Sequence, residues 1–190
     1  MNTKSFFLVI SFFLISITYS QTSLKFNAAT ALLGIPNIGF ETTLSKKFTF
    51  QFDATASFWK SVNNAPIQFL LIIPEFRYYT KEAGKGFFVG AHIGGGAFKI
   101  QKWTYRNTDL YEEGYTVLYG VTLGYQFIVS PKFNLEVFAG GGSSQGFYKG
   151  YYISTNERYD FAKDYNKSGE IIPYRGGLML VYKLGSKNER

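Results

Sequence analysis

The sequence predicts an all-β chain, an eight-stranded antiparallel up-and-down transmembrane β-barrel behind an N-terminal signal peptide. Three observations predict it. Apolar and polar residues alternate over long stretches, the stretches are even in number, and their connections alternate between short turns and longer loops. The sharpest stretch runs from Phe48 to Phe58. Phe48, Phe50, Phe52, Ala54, Ala56 and Phe58 alternate there with Thr49, Gln51, Asp53, Thr55 and Ser57. Successive strand side chains point to opposite faces, so one face is oily and the other wet. A strand of a soluble sheet usually needs only about five or six residues for this. A tilted strand crossing a bilayer needs about nine to eleven.

Residues 1–20 read as a secretory signal peptide, leaving the barrel domain at 21–190. Lys4 gives the positive start, Phe6 to Ile17 is apolar apart from Ser11 and Ser16, and Thr18, Tyr19 and Ser20 form a small-residue cleavage site. That apolar run falls short of the roughly 20 residues a spanning helix needs. The chain has no cysteine, so neither a lipid anchor on cysteine nor a disulfide is expected.

The strands follow in order. Leu24 to Leu33 alternates and is broken by Gly34, Ile35 and Pro36. Ile38, Phe40, Thr42 and Leu44 form the outward face of a second strand, and Ser45 to Lys47 turn into the Phe48 strand. After a loop at Asn63 and Asn64, Gln68 to Thr80 puts Leu70, Ile72, Phe76 and Tyr78 outward and Glu75 and Arg77 inward. Pro74 lacks a donor and predicts an irregularity in that ladder. A turn at Lys81 to Lys85 leads to a strand from Phe87 towards Lys102, and Trp103 to Gly114 reads as a loop. Tyr115 to Phe127 has the strongest outward face of the chain. A turn at Ser130 precedes the strand from Phe133, and Tyr148 to Gly169 reads as the longest loop. In the last strand Ile172, Tyr174, Leu178, Leu180 and Tyr182 are expected outward, opposite Arg175, Gly177, Met179 and Val181. The short turns lie around Ser45, Lys81 and Ser130, the expected periplasmic side of an outer-membrane barrel; Gly34 to Pro36 is a short exception on the other side.

Composition bounds the function classes. Aromatics make up 19% of the chain, which suits interfacial girdles around a barrel. The formal charge is +7, one less once Lys4 leaves, but the lysines are scattered through turns and the tail. That pattern points to solvated turns and not to a nucleic-acid surface.

The inner face carries the candidate functional residues: Lys25, Glu41, Asp53, Glu75, Arg77, His92, Glu136 and Arg175, with Lys183 near one rim. Unpaired charges inside a narrow barrel would cost several kcal/mol each, so these groups are expected to pair with one another. An eight-stranded barrel is just wide enough for side chains to fill it, which predicts a plug and not an open pore. His92 is the single histidine, so no multi-histidine metal site is available, and no cofactor is implied. A catalytic base at His92 would need a hydroxyl beside it, and alternation places no serine there. Gly94 to Gly96 and Gly140 to Gly142 lead into no helix and so form no phosphate cradle; they read as bends or as room for bulky neighbours such as Phe98 and Phe138. Trp59, Trp103, Tyr105, Tyr111, Tyr148, Tyr151 and Tyr152 could anchor an outer girdle or grip a surface ligand.

Several motifs resemble a known family. Lys25-Phe26-Asn27, Pro36-Asn37-Ile38-Gly39-Phe40-Glu41, Pro74-Glu75-Phe76-Arg77-Tyr78 and Phe88-Val89-Gly90-Ala91-His92 resemble small outer-membrane barrels widespread in Bacteroidota-type bacteria and catalogued as a domain of unknown function. The chain is more loosely similar to OmpA-transmembrane and OmpX-like eight-stranded barrels. The resemblance implies fold and outer-membrane location and brings no catalytic residues. Arg175 to Tyr182 also resembles the terminal-strand signal read by the barrel assembly machinery, although Lys183 to Arg190 continue past it.

These readings lead to a non-enzymatic outer-membrane barrel with a structural or surface-interaction role. Its expected partners are outer-membrane lipid, the assembly machinery and a possible surface ligand at the outer loops. The alternatives are a lipid-modifying enzyme using His92, a narrow channel or carrier for small apolar molecules, and a soluble lipocalin-like barrel with its apolar face inward.

Overall fold

In a computed structural model of the chain, the structure describes residues 21–61, 64–159 and 165–184. The expected signal peptide, residues 1–20, lies outside them. The strands are β1 (Thr22–Asn27), β2 (Asn37–Thr43), β3 (Phe48–Lys60), β4 (Pro66–Tyr79), β5 (Gly86–Ile100), β6 (Leu110–Ile128), β7 (Phe133–Tyr152) and β8 (Asn166–Lys183). Each pairs antiparallel with the next, and β1 pairs with β8 from Ser23↔Lys183 to Asn27↔Met179, so the sheet closes into an eight-stranded up-and-down barrel. Closure leaves no strand edge to be protected.

Alternation sorts the two faces as expected. Val121 and Leu180 are 57% and 47% exposed, whereas Arg77, Gln51 and Glu136 are each 0% exposed. Phe50 is half-covered by its outward neighbours, and the outward rings stack on one another: Phe40 on Phe52 at 5.7 Å and Phe48 on Phe76 at 5.3 Å. Tyr78, Phe87, Phe127, Phe133 and Tyr182 stand outward near the short turns, forming an aromatic band at that end.

The sequence reading needs correcting in four places. The first strand stops at Asn27, and Ala28–Leu32 form a short helix, α1. Asn27 caps it by accepting a hydrogen bond from the Thr30 backbone N–H at 3.3 Å, and the alanines that follow favour helix. Gly34 then takes φ +70°, the left-handed conformation that ends the element. The connection from β1 to β2 is therefore a full loop, and the apparent short exception disappears.

The loops after β5 and β7 are also shorter than expected, because β6 begins at Leu110, β7 continues to Tyr152 and β8 begins at Asn166. Aromatic pairs across β6 and β7 explain the extension: Tyr111 stacks on Tyr151 at 5.4 Å and Tyr115 on Phe147 at 5.1 Å. Pro74 interrupts the β4–β5 ladder between Ile72↔Gly95 and Glu75↔His92, but it causes no register shift. The register shift lies in β8 instead, where Gly140 pairs with Arg175 but Gly141 pairs with Pro173. Tyr174 is the extra residue of this bulge, and it turns inward instead of outward. Beyond it, Ile171 is exposed and Ile172 lines the lumen, the reverse of strict alternation from Leu178.

Candidate functional site: a charged plug beneath an apolar cup

All eight inward candidates meet inside the barrel. Lys25 on β1 lies 2.5 Å from Glu41 Oε2 on β2 and 2.6 Å from Glu136 Oε2 on β7, and donates to Gln51 Oε1 on β3 at 2.7 Å. Arg77 on β4 contacts Glu75 Oε1 through Nε at 2.8 Å and Glu136 Oε1 through Nη1 at 3.0 Å. Its guanidinium also sits 4.2 Å from the centre of the Phe88 ring, a cation–π contact that supports it from below. Arg175 on β8 reaches Asp53 Oδ2 at 2.6 Å and pairs with Glu75 Oε2. Three cations and four carboxylates from six strands thus form one connected cluster, each side chain no more than 5% exposed.

The excess carboxylate charge is met by neutral donors. Thr49 donates to Glu41 at 2.5 Å, Gln51 donates to Asp53 at 3.0 Å, and the Tyr79 hydroxyl lies 2.9 Å from both Glu41 and Gln126. Hydrogen bonds of this kind are what make buried ions tolerable. Space for the cluster is made by missing side chains: a Cβ on Gly90 would overlap the Glu75 carboxylate. In the glycine runs Gly94 and Gly96 stand against Ile73 and Leu71, and Gly140 against Thr122 and Arg175, not against Phe98 or Phe138; Gly90, which makes room for Glu75, and Gly124, which makes it for Phe88, lie outside the runs.

His92 lies at the upper margin of the plug. The bulge brings the Tyr174 hydroxyl within 2.5 Å of Nε2, and Thr122 Oγ1 lies 3.1 Å from Nδ1. Thr122 donates its single proton to Glu75 Oε2 at 3.3 Å, so it accepts from Nδ1–H, while Nε2 faces the Tyr174 hydroxyl. His92 is thus held between two hydroxyls. Sequence reasoning missed Tyr174 because the bulge reverses its face. Gln51 and Tyr79 were legible as inward residues, since they share parity with Asp53 and with Glu75 and Arg77. Among the described residues, no group of three or more His, Cys, Asp or Glu side chains is arranged to hold a metal ion.

Above the plug the lumen opens. Two adjoining cavities of about 380 and 340 Å³ share Phe69, Leu71 and Tyr174. Ile35, Ile73, Phe138 and Pro173 add to the apolar wall of the larger one, and its polar lining includes Asn37, Asp53 and Arg175. At the opposite end a smaller cavity of about 170 Å³ touches Glu41, Thr49 and Gln126, so the plug separates the two mouths.

The motifs singled out above fall together here, on β1, β2, β4 and β5, as parts of one interior cluster. A family model described as "Protein of unknown function (DUF3575)" matches residues 5–184. The chain belongs to this family. The DUF3575 match runs through all eight strands, so the plug and the cup both lie within the shared region. No curated protein matches the chain.

Proposed function

We propose that this DUF3575 member is an outer-membrane β-barrel of the OmpA/OmpX-like kind, from a Bacteroidota-type cell envelope, with a structural or surface-interaction role and no enzymatic activity. The observation that carries the reading is the distribution of faces on a closed ring: a continuous apolar, aromatic-edged exterior around an ion-paired interior. An exposed apolar surface of that extent suits hydrocarbon, not water. Residues 1–20 act as the export signal, β8 presents the assembly machinery with its terminal-strand signal, and the longer loops face outward to surface ligands. The plug supports a closed barrel over a channel, because partners in six strands would have to separate to open a path.

Membrane fractionation tests the reading. The protein is expected in the outer-membrane fraction, released only by detergent and running as a heat-modifiable band. Extraction by salt or carbonate without detergent would refute it and favour a soluble barrel. In planar bilayers the expected result is electrical silence. The reading as a lipid-modifying enzyme draws on one observation, the histidine held between two hydroxyls. It predicts that His92→Ala abolishes acyl transfer to, or hydrolysis of, outer-membrane lipid; the structural role predicts an unchanged lipid profile.

A further inference from the structure

The half of the lumen nearest the long loops is lined differently from the plug beneath it. Phe69, Leu71, Ile73 and Phe138 give it walls of carbon, and its polar lining includes Asn37, Asp53 and Arg175. Its volume of about 380 Å³ falls in the range of small-molecule sites, which are mostly apolar with a few convergent polar groups. Among the described residues, five buried side-chain polar atoms have no hydrogen-bond partner within the protein. Two of them, Asn37 Oδ1 and Arg175 Nε, belong to residues lining this cavity. One is an acceptor and the other an N–H donor, and a buried polar group without a partner is costly.

We propose that the cup binds one small, uncharged amphipathic molecule: an apolar alkyl or aromatic body with a compact head, such as a primary amide, that both donates and accepts a hydrogen bond. Both atoms are covered in the empty barrel, so Asn37 and Arg175 turn on binding: the head's carbonyl then takes the proton of Arg175 Nε, and its N–H is taken by Asn37 Oδ1. Charge on the head is disfavoured from both sides. The Arg175 guanidinium already answers Asp53 and Glu75, so an added anion would face those carboxylates. An added cation would have to displace a guanidinium from them. The plug closes the far side, so the molecule enters from the long-loop end and stops there. This goes beyond the structural role proposed above and does not depend on which membrane surrounds the barrel.

The mature chain in lipid nanodiscs, titrated with 2-naphthamide and followed by naphthyl fluorescence against empty nanodiscs, tests the proposal. Saturable binding of one molecule per barrel is expected. Naphthalene, which lacks the head, and 2-naphthoate, which carries charge, are expected to bind about tenfold more weakly. Leu71→Trp fills the space shared by both lobes and abolishes binding, whereas Leu71→Ala retains it. Absence of saturable binding, equal binding of the three probes, undiminished binding by Leu71→Trp, or loss in Leu71→Ala as well would each overturn the proposal. The heat-modifiable band of each variant separates loss of the site from loss of the barrel. If Leu71→Trp does not refold, Ile35→Trp narrows the same cavity from the connection between β1 and β2 and carries the same expectation.

Discussion

Arg77 is the side chain on which most of the interior depends. It is fully buried, holds Glu75 and Glu136 together and rests on Phe88. Arg77→Met removes one cation and leaves carboxylates buried beside each other. Breaking a buried pair in this way costs about 3–5 kcal/mol. Urea titration of the refolded barrel, read by its heat-modifiable band, is expected to show that loss; a change below about 1 kcal/mol, the scale of an exposed pair, would mean that the cluster is hydrated. Adding Glu136→Gln to Arg77→Met is expected to restore part of the stability, because the two positions share one interaction. Gly90→Ala is expected to destabilise by overpacking, by about 1–3 kcal/mol, since Glu75 is pinned by Arg77 and Arg175 and has nowhere to retreat. The parity of each strand made every one of these charged residues legible as inward. Their pairings were not legible, because they depend on inter-strand register, which alternation along a single strand does not carry.

At the level of elements, the departures from the sequence reading have local physical causes. Five residues after Asn27 are too few to separate a period of 2 from one of 3.6, so Ala28 to Leu32 fits a strand by alternation although the Asn27 cap starts a helix there. Asn27→Ala is expected to cost about 1 kcal/mol for the lost cap, with a further loss from the freed Gly176 carbonyl that Asn27 Nδ2 serves at 3.1 Å. The β8 bulge had a trace in the sequence, with Pro173 unable to donate and three glycines in the facing strand, but alternation gave no sign of which residue would be extra. At the rim, burial works against the charge of Lys102, yet Glu112 at 3.2 Å and Glu170 at 3.7 Å hold its pKa above the usual 10.5. A raised lysine pKa contributes stability that is complete below the unfolded value and lost as pH rises through the folded one. The protection of amides in residues 101–109, taken as exchange relative to the base-catalysed rate of an unstructured chain at the same pH, is therefore expected to fall only in strongly alkaline solution; a fall in protection at neutral pH would contradict the pairing.

On the scale of the whole molecule, one asymmetry organises everything else: a greasy outside, an ionic middle, and an open cup on one side of that middle. Eight strands were countable from the sequence because each carries its own alternation and each turn its own polar break. The cup was not, because it arises from the unequal heights of the strands and from one bulged tyrosine. The exterior makes a direct energetic demand. Val121→Arg, at mid-height on β6, is expected to cost about 2–4 kcal/mol in a bilayer, falling towards zero for the same change near a turn. The absence of cysteine makes the sidedness itself measurable. Single nitroxides placed through Val121→Cys, Leu180→Cys and, as a solvent reference, Lys132→Cys can be compared in liposomes for collisions with dissolved oxygen and with a water-soluble nickel chelate. High oxygen and low nickel accessibility at Val121 and Leu180 is the predicted result; nickel accessibility equal to that at Lys132 would contradict a lipid-facing exterior.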